Sequence, residues 1–245
     1  MSLIKNLKYV PSRKPGARDA LLLCGFGGSI WQTKRLINVL RRNGYHVTAL
    51  DFPKKVLSKG DIELLPQLIN EVVAFAETKA KEATKPVLLV GISLGALISL
   101  NIIRRSNLFN EGVLITGGDI AKIARSMYGG KVWPQSYKEL AELWRPINMY
   151  TPPERLNGKR LLFVLPANDR LIDTSDIHGE IRLQRESGNH VILVTRRPFS
   201  HIGTIVEETI LFPNRILSYI EQVKGQRKPR ENKVGPRTER RNVIM

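Results

Sequence analysis

The chain has one cysteine, Cys24, in 245 residues. No internal disulfide can form, which suits a reducing compartment or a fold with no need of a crosslink. Histidine is scarce too, at four. Zinc-finger spacing and a His-Glu-x-x-His helix are both excluded, and no metal or other cofactor is called for. Long apolar runs are missing. Residues 20–24 and 87–90 are strand-length, far below the ~20 residues that span a bilayer. Residues 1–20 are broken by Pro11, Pro15 and Gly16 and lack the apolar stretch of a secretory signal. The expectation is a soluble, cytoplasmic protein. Acidic residues are few, 22 against 39 Lys and Arg, for a formal charge of +17.

That charge is unevenly spread. Residues 224–245 hold eight Lys or Arg against two Glu, a net +6, which leaves +11 on the body. Almost nothing apolar precedes Val243 in this stretch, and Gly225, Pro229, Gly235 and Pro236 punctuate it. Such a tail cannot bury enough surface to order itself. A basic chain can touch polyanions or an anionic membrane surface nonspecifically. No specific nucleic-acid motif and no basic helix with interleaved aromatics accompanies the charge, so general surface basicity explains it as well.

What the sequence does have is alternation. Residues 20–24, 47–50, 87–90, 113–116, 161–166 and 191–195 read as short buried strands. Helical patterns separate them. Leu36, Val39 and Leu40 precede the stop signal Asn43-Gly44, and Ile62, Leu65, Ile69, Val72 and Ala76 form one stripe of a longer helix. Residues 94–105 form a largely buried helix, and a last helical segment, restarted at Pro213, runs to about residue 223. This order predicts an α/β fold with a mostly parallel central sheet flanked by helices, one domain over 1–223. Residues 119–157, with Trp133, Trp144 and four prolines, break the rhythm as short helices and turns, a small lid insertion over the strand ends. Its Trp133, Tyr137, Trp144 and Met149 suit either an acyl pocket or ordinary packing against the body.

Gly91-Ile92-Ser93-Leu94-Gly95 is the stretch that carries chemistry. Five residues of this kind recur by chance in a long chain, and its setting gives it meaning. It directly follows a buried strand and directly precedes an apolar helix, as a nucleophile elbow requires. The serine must sit on a sharp turn with its hydroxyl over the sheet, and Gly91 and Gly95 leave room for that. A serine also needs a base. His201, in Phe199-Ser200-His201-Ile202-Gly203 after the last strand, is placed for it, whereas His46, His178 and His190 fall at a strand start, in a helix and before a strand. The imidazole needs a carboxylate to hold its tautomer. Asp169 follows the strand over 161–166, with Asp173 and Asp176 near enough to serve instead.

The order Ser93, Asp169, His201 resembles that of the α/β-hydrolase superfamily over about residues 20–223. The resemblance implies a catalytic triad of these three residues and an oxyanion hole. One donor would be the Leu94 N–H and the other the Phe26 N–H in Cys24-Gly25-Phe26-Gly27-Gly28, with the Gly27 N–H next in line. Cys24 stands where relatives often carry histidine, which weakens any lipase-subgroup assignment. The implied activity is serine hydrolysis of a carboxylic ester or related small-molecule acyl substrate through an acyl-enzyme on Ser93. The alternative is a non-catalytic protein of this fold that uses its basic surface on nucleic acid or anionic membrane.

Overall fold

A computed structural model describes residues 4, 6–25, 30–53, 55–147, 158–167, 174–196 and 200–225. Seven strands form one sheet: β1 (Asn6–Val10), β2 (Arg18–Leu23), β3 (Tyr45–Asp51), β4 (Leu88–Ile92), β5 (Glu111–Ile115), β6 (Arg160–Pro166) and β7 (His190–Arg196). Their spatial order is β1-β3-β2-β4-β5-β6-β7, with β1 antiparallel to β3 and every other pair parallel. The helices are α1 (Lys34–Arg42), α2 (Lys55–Ser58), α3 (Leu64–Glu82), α4 (Leu94–Arg105), α5 (Ile120–Val132), α6 (Tyr137–Leu143), α7 (Thr174–Glu186), α8 (His201–Val206) and α9 (Asn214–Gly225). A π-helical turn, Glu207–Leu211, follows α8. Among the described residues no helix is long and apolar enough to cross a membrane.

The central strands are near-continuous apolar runs because both faces of the sheet are covered. Successive side chains point to opposite faces. Leu21 and Leu23 of β2, Leu89 of β4 and Leu161, Phe163 and Leu165 of β6 enter one core under α3, α4 and α5. Leu22, Leu88, Val90, Val113, Leu162 and Val164 enter the other, under α1 and α9. The edge strand β1 has no such run, since Leu7 and Tyr9 stay exposed. Its pairing with β3 was not legible in the sequence.

Strand order reverses between β3 and β4. The chain moves outward from β2 to β3, then crosses back to β4 on the far side of β2. A crevice therefore opens beyond the carboxyl ends of β2 and β4, the place where open parallel sheets bind ligands.

The segment expected as a lid contributes α5 and α6 and ends, among the described residues, with a 3-10 turn at Arg145–Ile147. Its tryptophans join the body. Trp133 and Trp144 are fully buried and meet edge-to-face at 5.0 Å between centroids. Their indole N–H groups donate to the Leu57 carbonyl at 3.0 Å and the Ile62 carbonyl at 3.2 Å. Tyr137 donates its hydroxyl to Asp119 at 2.6 Å, and Asp119 caps α5 by accepting from the Ala121 and Lys122 N–H groups. These contacts are packing and capping. Residues 148–157, including Met149, lie outside the described residues, as does the tail beyond Gly225. Trp144→Ala is expected to cost about 3–5 kcal/mol, read as a lower urea midpoint, because it deletes a filled core volume and strands the Ile62 carbonyl.

Candidate active site

Ser93 stands between β4 and α4 with φ 52° and ψ −115°, a backbone state that non-glycine residues adopt at a cost of order 1–3 kcal/mol. Three neighbours hold it there. Its N–H donates to the Ile115 carbonyl of β5 at 2.8 Å, while its own carbonyl accepts from Ala96 and Leu97 as α4 begins. Serine at a helix start ordinarily caps it through its hydroxyl. Here the side chain makes no capping bond, and the turn aims it elsewhere.

The glycines explain why this turn fits. A Cβ on Gly95 would lie 2.1 Å from the Leu23 carbonyl oxygen, and one on Gly91 would lie 2.4 Å from the Gly95 carbonyl oxygen. Both clashes are with backbone, which cannot swing aside. Gly25, just past β2, comes so near that its Cβ would sit 3.2 Å from the Ser93 Cβ. Gly95→Ala is therefore expected to destabilise by about 3 kcal/mol or more in urea unfolding. Gly112→Ala, whose Cβ would meet the flexible end of Ile103 at 2.6 Å, is expected to cost less.

His201 is buried at the first position of α8, whose cap is the Ser200 hydroxyl accepting from the Gly203 N–H. Its Nε2 lies 3.1 Å from Ser93 Oγ, across 108 residues of chain. The structure thus brings these two expected site residues together. Leu94 is the first residue of α4, in the turn where backbone N–H groups have no intrahelical acceptor. Phe26, Asp169 and Asp173 lie outside the described residues, and the Asp176 side chain does too. The other histidines are elsewhere: His46 accepts from the Ser12 N–H through Nδ1 at 3.1 Å, and His178 and His190 belong to α7 and β7. Cys24 also borders the site. Burial first, and then the nearby Asp51 carboxylate, push its thiol far above the usual range, so it stays protonated and is no rival nucleophile. Among the described residues no group of three His, Cys, Asp or Glu side chains is arranged to hold a metal.

Behind His201 lies an ionic brace that the sequence did not reveal. Arg196, the last residue of β7, donates to the fully buried Glu208 at 2.5 Å and lies over the Tyr219 ring of α9 at 5.5 Å. Arg215 of α9 pairs with the buried Glu207. The π turn that continues α8 is thus tied to both β7 and α9. Burial raises the Glu208 carboxyl above its ordinary 4.5, with the Arg196 hydrogen bond and charge opposing. A carboxyl raised in the folded state stabilises fully below its unfolded value, and that contribution is lost as pH climbs through the folded one. Glu208→Gln should therefore raise stability at about pH 7 relative to that at about pH 4, compared with wild type. Urea midpoints at the two values check this, and an unchanged difference would show that Glu208 does not titrate there.

A strained serine beyond the central strand of a doubly covered parallel sheet, bonded to a histidine that follows the last strand, defines a class of α/β proteins. The chain belongs to the α/β hydrolase family, whose model matches residues 20–176. No curated protein matches it in sequence. Among solved structures it is similar to an esterase from Pyrococcus furiosus, at 18% identity and TM-score 0.60, covering 89% of this chain and 92% of that one. It is also similar to the Bacillus cereus carboxylesterase, at 15% identity and TM-score 0.62, covering 89% and 93%. A third is Thermogutta terrifontis esterase 2, solved phosphonylated by sarin, at 16% identity and TM-score 0.62, covering 87% and 89%. Likeness at such identities speaks to the fold.

Proposed function

We propose that this chain is a serine hydrolase that cleaves a carboxylic ester or related acyl substrate through an acyl-enzyme on Ser93. The observation that carries the reading is the 3.1 Å approach of His201 Nε2 to the hydroxyl of a serine held at φ 52°. The turn presents the nucleophile, and the imidazole stands where a general base must. Ser93 Oγ attacks the substrate carbonyl as its proton passes to His201 Nε2. The carbonyl electron pair moves onto oxygen, and the Leu94 N–H at the start of α4 is one donor suited to that charge, with the Phe26 N–H proposed as the second. Collapse expels the alcohol, which takes the proton from His201. Water, deprotonated by His201, then attacks the acyl carbonyl; collapse breaks the acyl–Oγ bond, His201 returns the proton to Ser93 Oγ, and the carboxylic acid leaves.

Asp169 is proposed as the carboxylate that orients His201, with Asp173 and Asp176 as alternatives. The esterase neighbours favour this reading over a purely binding role, and the sarin-modified relative suggests the reagent for testing it. A fluorophosphonate should label the folded chain once, at Ser93. Ser93→Ala should lose the label and lower kcat for ester hydrolysis by ~10⁴-fold or more, and His201→Ala by ~10³-fold or more. Folded wild-type protein that takes no label would support the binding role, and labelled Ser93→Ala would move the nucleophile to another serine.

A further inference from the structure

A cavity of about 350 Å³ opens against Ser93 and His201. Two helical stripes face into it. On α5, Ile120, Ile123 and Met127 recur at steps of three and four and share one face. On the other side, α8 supplies Ile202 and Ile205, and the wider π turn keeps Ile210, five residues on, in line with them. Leu57 of α2 completes this apolar wall.

The lining contrasts with the rest of the molecule. In a chain with 39 basic and 22 acidic residues, no charged side chain lines the cavity among the described residues. A carboxylate, phosphate or ammonium group seated there would lose water without meeting a counter-ion among the described lining residues. Of the other polar groups that line the cavity, Thr33 donates to the Ile30 carbonyl at 3.0 Å, Thr209 donates to the Ile205 carbonyl at 2.7 Å, the Cys24 thiol stays protonated, and Gln32 is a neutral amide at an exposed position. Ser93 and His201 thus mark a polar end from which an apolar slot extends. Met127 and Ile202 are exposed beside it, so the apolar surface continues outward.

We propose that this slot takes an uncharged aliphatic chain of roughly six to ten carbons joined to the scissile ester. This rests on reading Ser93 as the nucleophile. The size follows from volume: an apolar cavity of about 150 Å³ accepts a benzene ring, so 350 Å³ holds about a dozen carbons, and the reacting ester occupies part of it. Ile123, buried in the middle of the α5 stripe, sets the depth of the slot, and the flexible Met127 one turn further on adapts its outer end.

The test uses the full chain and two ester series. In one the acyl group runs from two to sixteen carbons on a fixed p-nitrophenyl leaving group; in the other the alcohol lengthens on a fixed acetyl group. In one series kcat/KM should rise up to about fourfold per added methylene, peak between roughly six and ten carbons and then fall. The series that shows the peak tells which half of the ester occupies the slot. Ile123→Trp should lower the eight-carbon to two-carbon ratio of kcat/KM by ~10-fold or more and move the peak to shorter chains. Met127→Trp, at an exposed position that tolerates bulk, should move it in the same direction. Wild-type protein that takes the fluorophosphonate at Ser93 yet is fastest on the two-carbon ester in both series overturns the slot and leaves the hydrolase standing. Equal loss on all chain lengths in both Trp variants overturns it as well. Failure to take the fluorophosphonate at Ser93 overturns the reading beneath it.

Discussion

The start of α4 is pressed against the end of β2 with no space for a side chain between them. Gly95 meets the Leu23 carbonyl there, and Gly91 lies against the first turn of α4. That closeness forces a sharp strand-to-helix turn, and the turn leaves Ser93 at positive φ with its hydroxyl free of the helix it precedes. The sheet supplies the restoring force. β4 pairs with β2 on one side and β5 on the other, and the Ile115 carbonyl binds the Ser93 N–H directly. A strained residue persists only where its surroundings over-determine it, and four packed elements do so here.

The site's other half is held by different physics. His201 opens a helix of six residues, too short to be stable alone. It continues into a π turn carrying two buried glutamates, each paired with an arginine from a neighbouring element. Removing one partner of such a pair leaves an uncompensated charge, so the brace strongly disfavours movement of this segment. Charge is thus concentrated in this brace, while the described residues that line the cavity at His201 carry none.

Much of this was legible in advance. Strands β2 to β7 announced themselves because burial on both faces demands unbroken apolar runs, and α4 began and ended where its apolar run did. Ser93 and His201 were readable as candidates because glycine spacing and position after a strand are local properties. Edge strand β1 was not, since Leu7 and Tyr9 remain exposed and its order comes from pairing with β3 forty residues on. The tryptophans of the insertion suited a pocket or packing equally well. Their carbonyl partners, 76 and 82 residues away, put them in the core. The cavity wall fell to isoleucines whose spacing looks like that of any core helix.

The sequence by itself determined the fold class, the strained turn at Ser93 and the family, because these depend on residue type and short-range order. Only the tertiary structure decided that Nε2 of His201 reaches Ser93 Oγ, that Arg196 and Arg215 meet Glu208 and Glu207, and that α5 and α8 face one cavity. Each of those joins segments far apart in the chain. Periodicity shows that a helix has an apolar face, and the packing of the whole sheet determines what that face meets.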